Sequence, residues 1–228
     1  MRLSIVIPVL DEAQRIGERL LEVRALAGVD EIVVVDGGSH DGTVDIARRI
    51  PSVRVLEAPR GRGPQMNVGA RAARGDVLLF LHADVSLPPD ATTWVARALA
   101  EPGVVAGAFR VRTRADGGRN WLGPLLRLAD VRSRLTRLPY GDQALFVRRE
   151  TFERAGGFPD QPLMEDVELA RRLRRLGRIR IVPAVVQASG RRFLARPVRT
   201  LLAMRFFPVL YRLGVPPEVL ARLYGHPR

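Results

Sequence analysis

Nearly unbroken apolar runs recur through the front half of the chain, at Leu3–Val9, Glu31–Val35, Val53–Leu56 and Asp76–Leu81. A strand with one wet face alternates apolar and polar residues, so a run without alternation belongs to a strand covered on both faces. Helical patterns separate the runs. Ala13–Ala27 repeats apolar residues at Ile16, Leu20, Val23 and Leu26, and Thr43–Ile50 is a short helix. Gly63-Pro64 opens a helix to about Ala73, and Pro88-Pro89 opens another through about Leu99. Strand and helix alternating at this pitch predict an α/β fold with a mostly parallel central sheet flanked by helices. Ligands of such sheets lie at the carboxyl ends of the strands.

The back half changes character. Val104–Thr113 alternates, Trp121–Leu138 is amphipathic with a leucine-rich face, and Gln143–Arg148 is a short strand. Glu165–Leu176 is helical, Arg178–Val186 is a last strand, and Pro197–Leu213 is a last helix with Pro208 inside it, where a bend is expected. With no repeat, low-complexity tract or long linker, residues 1–228 read as one domain, made of a front half (1–100), a back half (101–195) and a basic helical segment (196–228). No run approaches the ~18 apolar residues of a membrane span. Met1–Leu10 passes directly into Asp11 and Glu12, which reads as a first strand and not as a signal peptide.

The chain contains no cysteine, which excludes disulfides, thiolate zinc sites and a cysteine nucleophile, and fits a cytoplasmic setting. It contains no lysine either, which excludes a Walker A loop and Schiff-base chemistry. The formal charge of +13 therefore rests on arginine and suits an anionic partner: a nucleotide diphosphate, an anionic membrane or nucleic acid. A coding bias toward arginine on a solvated surface would produce the same excess.

Four polar clusters fall just past the predicted strands: Pro8–Glu12, Asp36–Thr43, Arg60–Gly63 and His82-Ala83-Asp84. Each has a simple structural reading. Asp-Gly-Gly-Ser is a turn signal, Arg60 and Arg62 could be solvated, and His82 could cap its strand. Asp36–Thr43 also lacks the spacing of a dinucleotide fingerprint. A parallel sheet nevertheless gathers all four at one edge, as a cleft of carboxylates, glycines and arginines.

Taken in order, Ser4-Ile5-Val6-Ile7-Pro8 with Glu12, Val35–Thr43, then Asn67, Gly69 and Ala70, then His82-Ala83-Asp84, Gly141-Asp142-Gln143 and Met164-Glu165-Asp166 resemble the inverting family 2 glycosyltransferases of GT-A fold. The likeness covers about residues 1–190, and its Gly-Asp-Gln form resembles a small soluble bacterial subgroup. It implies a metal-dependent enzyme that moves one sugar from a nucleotide-sugar donor, a UDP-sugar first, to an acceptor hydroxyl. By the same resemblance, residues 1–100 form the nucleotide-sugar half and 101–195 the acceptor side. Pro8 and Glu12 would line the nucleoside pocket, Asp36 would accept from the base, Gly38 would let the backbone approach, and Asp41 would support the loop. Arg60 or Arg62 and Gln65 would face the base or diphosphate. Asp84 would ligate Mg2+ or Mn2+, with His82 standing where the family's first aspartate would be and contacting metal, sugar or ribose. Asp166 would be the catalytic base, taking the acceptor proton. The bare residues suit an alternative in which Glu165 and Asp166 only stabilise a helix N-terminus. Asp142, Gln143 and Glu165 would sit on the acceptor or sugar side. Arg191 or Arg192 would close over the diphosphate, in a segment (Gln187–Phe193) that lacks the Gln-x-x-Arg-Trp motif of polymer-building members, so transfer of a single sugar is expected.

The last predicted helix sets Val198, Leu201, Leu202, Phe206, Val209 and Leu210 beside Arg196, Arg199, Arg205 and Arg212. A basic amphipathic helix can lie on an anionic membrane, at the inner face of the cell membrane with an amphiphilic acceptor, or pack on its own domain. A sugar nucleotidyltransferase is the nearest rival reading, but it would want a glycine-rich basic loop where Val9–Ala13 is acidic. A nucleic-acid binder would interleave aromatics with its arginines, which this chain does not. A third rival, a degenerate fold that binds nucleotide without turnover, sits poorly with the retention of Asp36, Asp84 and Asp166.

Overall fold

The structure, a computed structural model, describes residues 1–114, 139, 141–191 and 197–225. The helix expected over Trp121–Leu138 lies outside the described residues, as do Arg192, Phe193, Arg196 and the side chain of Val198.

β1 (Leu3–Val9) runs parallel to β2 (Glu31–Asp36) on one side and β4 (Val77–Phe80) on the other, with β3 (Val53–Glu57) parallel to β2. Beyond β4 the sheet turns mixed. β7 (Phe146–Arg148) is antiparallel to β4, and β6 (Val104–Arg114) is antiparallel to β7. β8 (Arg178–Ser189) is parallel to β6, and β5 (Val85–Ser86) closes the edge antiparallel to β8. The spatial order is β3-β2-β1-β4-β7-β6-β8-β5.

All seven residues of β1 are buried, as its unbroken apolar run requires. The period of two sorts them between two layers. Leu3, Ile5, Ile7 and Val9 pack with α1 (Ala13–Arg24), α2 (Thr43–Arg48) and α4 (Ala91–Ala100). Val6 faces α3 (Arg62–Ala72), α5 (Arg149–Arg154) and α6 (Glu165–Leu176). Each fully buried leucine or isoleucine contributes roughly 1.5–3 kcal/mol relative to exposure. α3 lies so close to the sheet that a Cβ on Gly69 would come 2.3 Å from Val6 Cγ1 and 2.9 Å from Val35 Cγ2. Asn67 on the same helix holds Phe158 by both backbone groups, accepting from its N–H at 2.9 Å and donating to its carbonyl at 2.8 Å. Phe158 stacks edge-on against Phe80, ring centroids 4.8 Å apart.

The chain steps outward through β1, β2 and β3 with α1 and α2 on one face. It then returns across the other face through α3 to β4. Strand order therefore reverses between β1 and β4, and a crevice opens at their carboxyl ends, where ligands of open α/β sheets bind.

Some boundaries differ from expectation. α4 begins at Ala91, after the two prolines and Asp90. Gly141–Gln143 is a single 3-10 turn, so β7 starts only at Phe146. β5, α5 and a final helix α8 (Pro217–Tyr224) are additions, too short to carry a clear period. α7 (Pro197–Arg212) keeps Pro208 within it.

Candidate functional site

The crevice is a shallow cleft lined by Pro8, Val9, Leu10, Glu12, Arg62, Gln65, His82, Ala83 and Asp84. Beside it a second, narrow pocket is lined by Met66, Phe80, His82, Pro139, Gly141, Leu145, Phe158, Glu165 and Asp166. His82 belongs to both walls.

The loops after β1 and β2 interlock through side chains that accept from backbone amides. Ser39 Oγ accepts from Asp11 N–H at 2.9 Å, Asp11 Oδ1 from His40 N–H at 2.9 Å, and Thr43 Oγ1 from Glu12 N–H at 2.8 Å. Asp41 ties the set together: Oδ2 accepts from Ala13 N–H at 3.0 Å, and Oδ1 accepts from Thr43 Oγ1–H and N–H. Burial works to raise the Asp41 pKa, but these hydrogen bonds, Thr43's first, outweigh it and hold the carboxyl below its ordinary value. Asp36 is buried and turned on its own loop, accepting from Gly38 N–H, Ser39 N–H and Ser39 Oγ–H at 2.5–3.0 Å. Gly38 is needed for its φ of 95°; a Cβ there would meet nothing.

Gln65 is 3 % exposed, and its Nε2 donates to Val9 O at 2.7 Å and Val35 O at 2.8 Å. It thus clamps the carboxyl ends of β1 and β2 together, and both amide hydrogens expected to face a ligand are already used. The His82-Ala83-Asp84 turn is held from two sides. Arg19, buried on α1 and paired with Glu22, donates to Ala83 O at 3.3 Å, and Ser189 N–H at the end of β8 donates to Asp84 O at 3.0 Å. The Asp84 carboxylate is left on the cleft wall. Glu12 lies across the cleft, with Arg191 Nη2 3.8 Å from its Oε2.

Arg60 is exposed and absent from the lining; Arg62, at the start of α3, occupies the place expected of either. Its Nε lies 3.3 Å from Glu165 Oε1. Glu165 foremost, then Asp166 and Asp84, hold Arg62 firmly in its charged form against the cost of burial. Burial raises the Glu165 pKa; Arg62 opposes this, and the negative charge of Asp166 adds to it.

Asp166 Oδ2 accepts from Gly141 N–H at 2.5 Å, and Oδ1 accepts from Val167 N–H at 2.8 Å. A Cβ on Gly141 would lie 2.8 Å from His82 Cε1 and 3.4 Å from Asp166 Oδ2, so only glycine lets these side chains close on that turn. Gln143 is 1 % exposed and donates to Phe109 O at 3.0 Å, which makes it a brace on β6. Asp142 is partly exposed on the same turn.

Three of the non-glycine residues at positive φ border the site: Asp11 (52°), Ala144 (47°) and Met164 (66°), the last directly before Glu165 and Asp166. Such conformations cost of order 1–3 kcal/mol each and persist where the surroundings over-determine them. Arg19 was not legible as a site residue, because a tertiary hydrogen bond leaves no spacing in the chain. Gly141 and Met164 stood out only as members of their motifs; the close approach and the backbone angle that give each its part are tertiary features.

Among the described residues no group of three or more His, Asp or Glu side chains could hold a metal. The donor set suits instead a hard cation bound by one carboxylate, Asp84, that shares its remaining positions with phosphate oxygens and water.

Residues 4–158 match the family described as Glycosyl transferase family 2. The chain belongs to that family, and its sheet is the GT-A fold. It is similar to the undecaprenyl-phosphate 4-deoxy-4-formamido-L-arabinose transferase of Pseudomonas syringae pv. syringae, 36% identical over 142 residues, which cover 57% of this chain and 42% of that one. It thus spans less than half the length of the curated relatives it matches. Among solved structures, the mannosyltransferase PcManGT of Pyrobaculum calidifontis, in complex with GDP-Man and Mn2+, is similar at TM-score 0.68 and 23% identity, over 98% of this chain and 68% of that one. The glucosyl-3-phosphoglycerate synthase of Mycobacterium tuberculosis, in complex with Mn2+, UDP-Glc and phosphoglyceric acid, is similar at TM-score 0.60 and 23% identity, over 100% and 81%.

Proposed function

We propose that this chain is an inverting, metal-dependent glycosyltransferase that moves one sugar from a nucleotide sugar, a UDP-sugar first, to an acceptor carried on a lipid. The observation that carries this reading is the seating of His82 in both cavity walls, with Asp84 on the nucleotide side and Asp166 on the other. Pro8 and Glu12 line the nucleoside end, and Asp36, Gly38 and Asp41 shape its floor. Arg62, flanked by Asp84 and Glu165, is the cation set to meet a diphosphate. A divalent cation on Asp84 would offset charge on the departing diphosphate. Asp166, its carboxylate oriented by two amides, takes the proton of an acceptor hydroxyl.

The names of the curated relatives favour a second acceptor chemistry, a polyprenyl phosphate. A phosphate monoester is already largely ionised at neutral pH and needs no base, so the two acceptors differ in their demand on Asp166. Nucleic acid fits poorly, since Glu12, Asp84, Glu165 and Asp166 line the space its phosphates would enter.

The test is calorimetric titration of UDP and GDP, with and without Mn2+, on the wild type and Asp84→Ala. UDP binding that needs the metal and is lost in the variant supports the reading. The reading fails if neither nucleotide binds under any condition.

A further inference from the structure

Of the exposed large apolar side chains among the described residues, all but Met1 and Leu21 lie on the C-terminal helices or directly after α7. Leu202, Phe206 and Val209 on α7, with Leu213 just past its end, are 51, 52, 44 and 77% exposed, and Val219 and Leu223 on α8 are 41 and 56% exposed. At about 100° per residue the first four form one stripe roughly 60° wide. Both helices are already docked by their other faces. Phe207, Leu210 and Tyr211 pack with Leu163, Met164, Leu220 and Ala221. The outer stripe is therefore surplus to folding, and contiguous exposed apolar surface marks an interaction site.

Charge selects the occupant. Arg205 and Arg212 are exposed along one shoulder of the stripe and Arg222 is exposed on α8, while Glu218 is the one acid between Pro197 and Gly225. An apolar stripe bordered by arginine matches the headgroup boundary of an anionic bilayer, where the stripe enters the acyl edge and guanidinium groups meet lipid phosphates. A second copy would bring two such arginine borders together on chains of formal charge +13. No helix among the described residues is long and apolar enough to cross a membrane.

We propose that the outer face of α7 and α8 is a docking surface for an anionic lipid bilayer, and that it holds the Asp166 side of the cleft at the membrane. Leu163 and Met164, which lead into Glu165 and Asp166, pack beneath these helices, and Tyr211 Oη lies 3.4 Å from Glu168 Oε2 on α6. The second half of the proposal, access for a lipid acceptor, rests on the transferase reading. Docking itself does not.

The test is co-sedimentation of the full chain with phosphatidylcholine vesicles, with and without phosphatidylglycerol, in low and high salt. Binding is expected only with the anionic lipid and weakens with salt. Phe206→Ser/Leu213→Ser should lower it at least tenfold, and Arg205→Gln/Arg212→Gln should lower it about fivefold per arginine. Unchanged thermal unfolding and UDP affinity in both variants separate failed docking from a failed fold or a failed nucleotide site. The proposal is overturned by no vesicle binding, by binding that both double variants retain, or by a concentration-dependent dimer that Phe206→Ser/Leu213→Ser dissolves.

Discussion

Arg62 at the start of α3 and Glu165 at the start of α6 form an ion pair, Nε to Oε1 3.3 Å, that links the lining of one pocket to that of the other. Glu165 is almost fully buried and Arg62 a quarter exposed, 4% and 25% by side chain. Arg62→Met leaves a buried carboxyl without its counter-charge and should cost about 3 kcal/mol, the low end for breaking such a pair. Burial already holds the Glu165 pKa above its ordinary 4.5. A carboxyl raised in the folded state binds its proton more tightly there, so its contribution to stability falls as pH climbs above that value. Urea midpoints should therefore show the Arg62→Met deficit at neutral pH and a smaller deficit near pH 4.5, and Arg62→Met/Glu165→Gln should recover most of it.

Asp166→Asn keeps the shape of the side chain and removes the base. With a hydroxyl acceptor, turnover should fall about 10²–10⁴-fold with nucleotide affinity unchanged. With a polyprenyl phosphate acceptor the loss should stay below about tenfold. Initial rates with both acceptors, beside UDP titration, decide between the two.

Gly141→Ala pushes a methyl to within 2.8 Å of His82 Cε1. The turn must shift and carry the Asp166 contact with it. Displacement near 1 Å can cost about 100-fold in rate, so kcat should drop on that order while UDP, if it binds on the other side of His82 as proposed, keeps its affinity. Equal losses in both would place Gly141 in the nucleotide site.

Asp41 is held below its ordinary pKa of 3.8 by the Thr43 and Ala13 hydrogen bonds. A carboxyl lowered in the folded state contributes stability above the unfolded value and loses it as pH falls through the folded one. The wild type should lose this contribution as pH falls below about 4, and Asp41→Asn should lack that step. At neutral pH the variant should be about 1 kcal/mol less stable. Chemical unfolding across that range measures both.

Gly69→Ala sets a Cβ 2.3 Å from Val6 Cγ1, inside the packing of α3 on β1. Overpacking of this kind costs about 1–3 kcal/mol. Thermal unfolding should register it, and UDP binding should weaken with it, because Arg62 and Gln65 ride on the same helix.

The parallel half of the sheet was legible because buried strands write themselves as unbroken apolar runs, and because each run ends on the loop that meets the next. That rule located the clusters Pro8–Glu12 and His82–Asp84, the family resemblance singled out Pro8, Glu12, His82 and Asp84 within them, and these four line one cleft. Arg60 and Arg62 could not be told apart, since the choice depends on where α3 begins its first turn. Gln65 and Gln143 looked like ligand contacts because glutamine in a polar cluster carries no mark of burial. Here both are buried: Gln65 gives both amide hydrogens to strand carbonyls, and Gln143 gives one to Phe109 O. The mixed half was harder still: β5 and β7 have two and three residues, too short for any period to show.

The hydrogen bond from Ser189 to Asp84 O, backed by the pairing of Val85 with Ala188, has a thermodynamic consequence. A metal-binding carboxylate on a loose loop must surrender its conformational freedom each time a ligand arrives, and affinity suffers by that amount. In this fold the last long strand of the sheet removes that freedom when the chain folds. On the proposed reading, an incoming nucleotide and its cation would meet a backbone that is already still, and more of their contact energy would remain as binding.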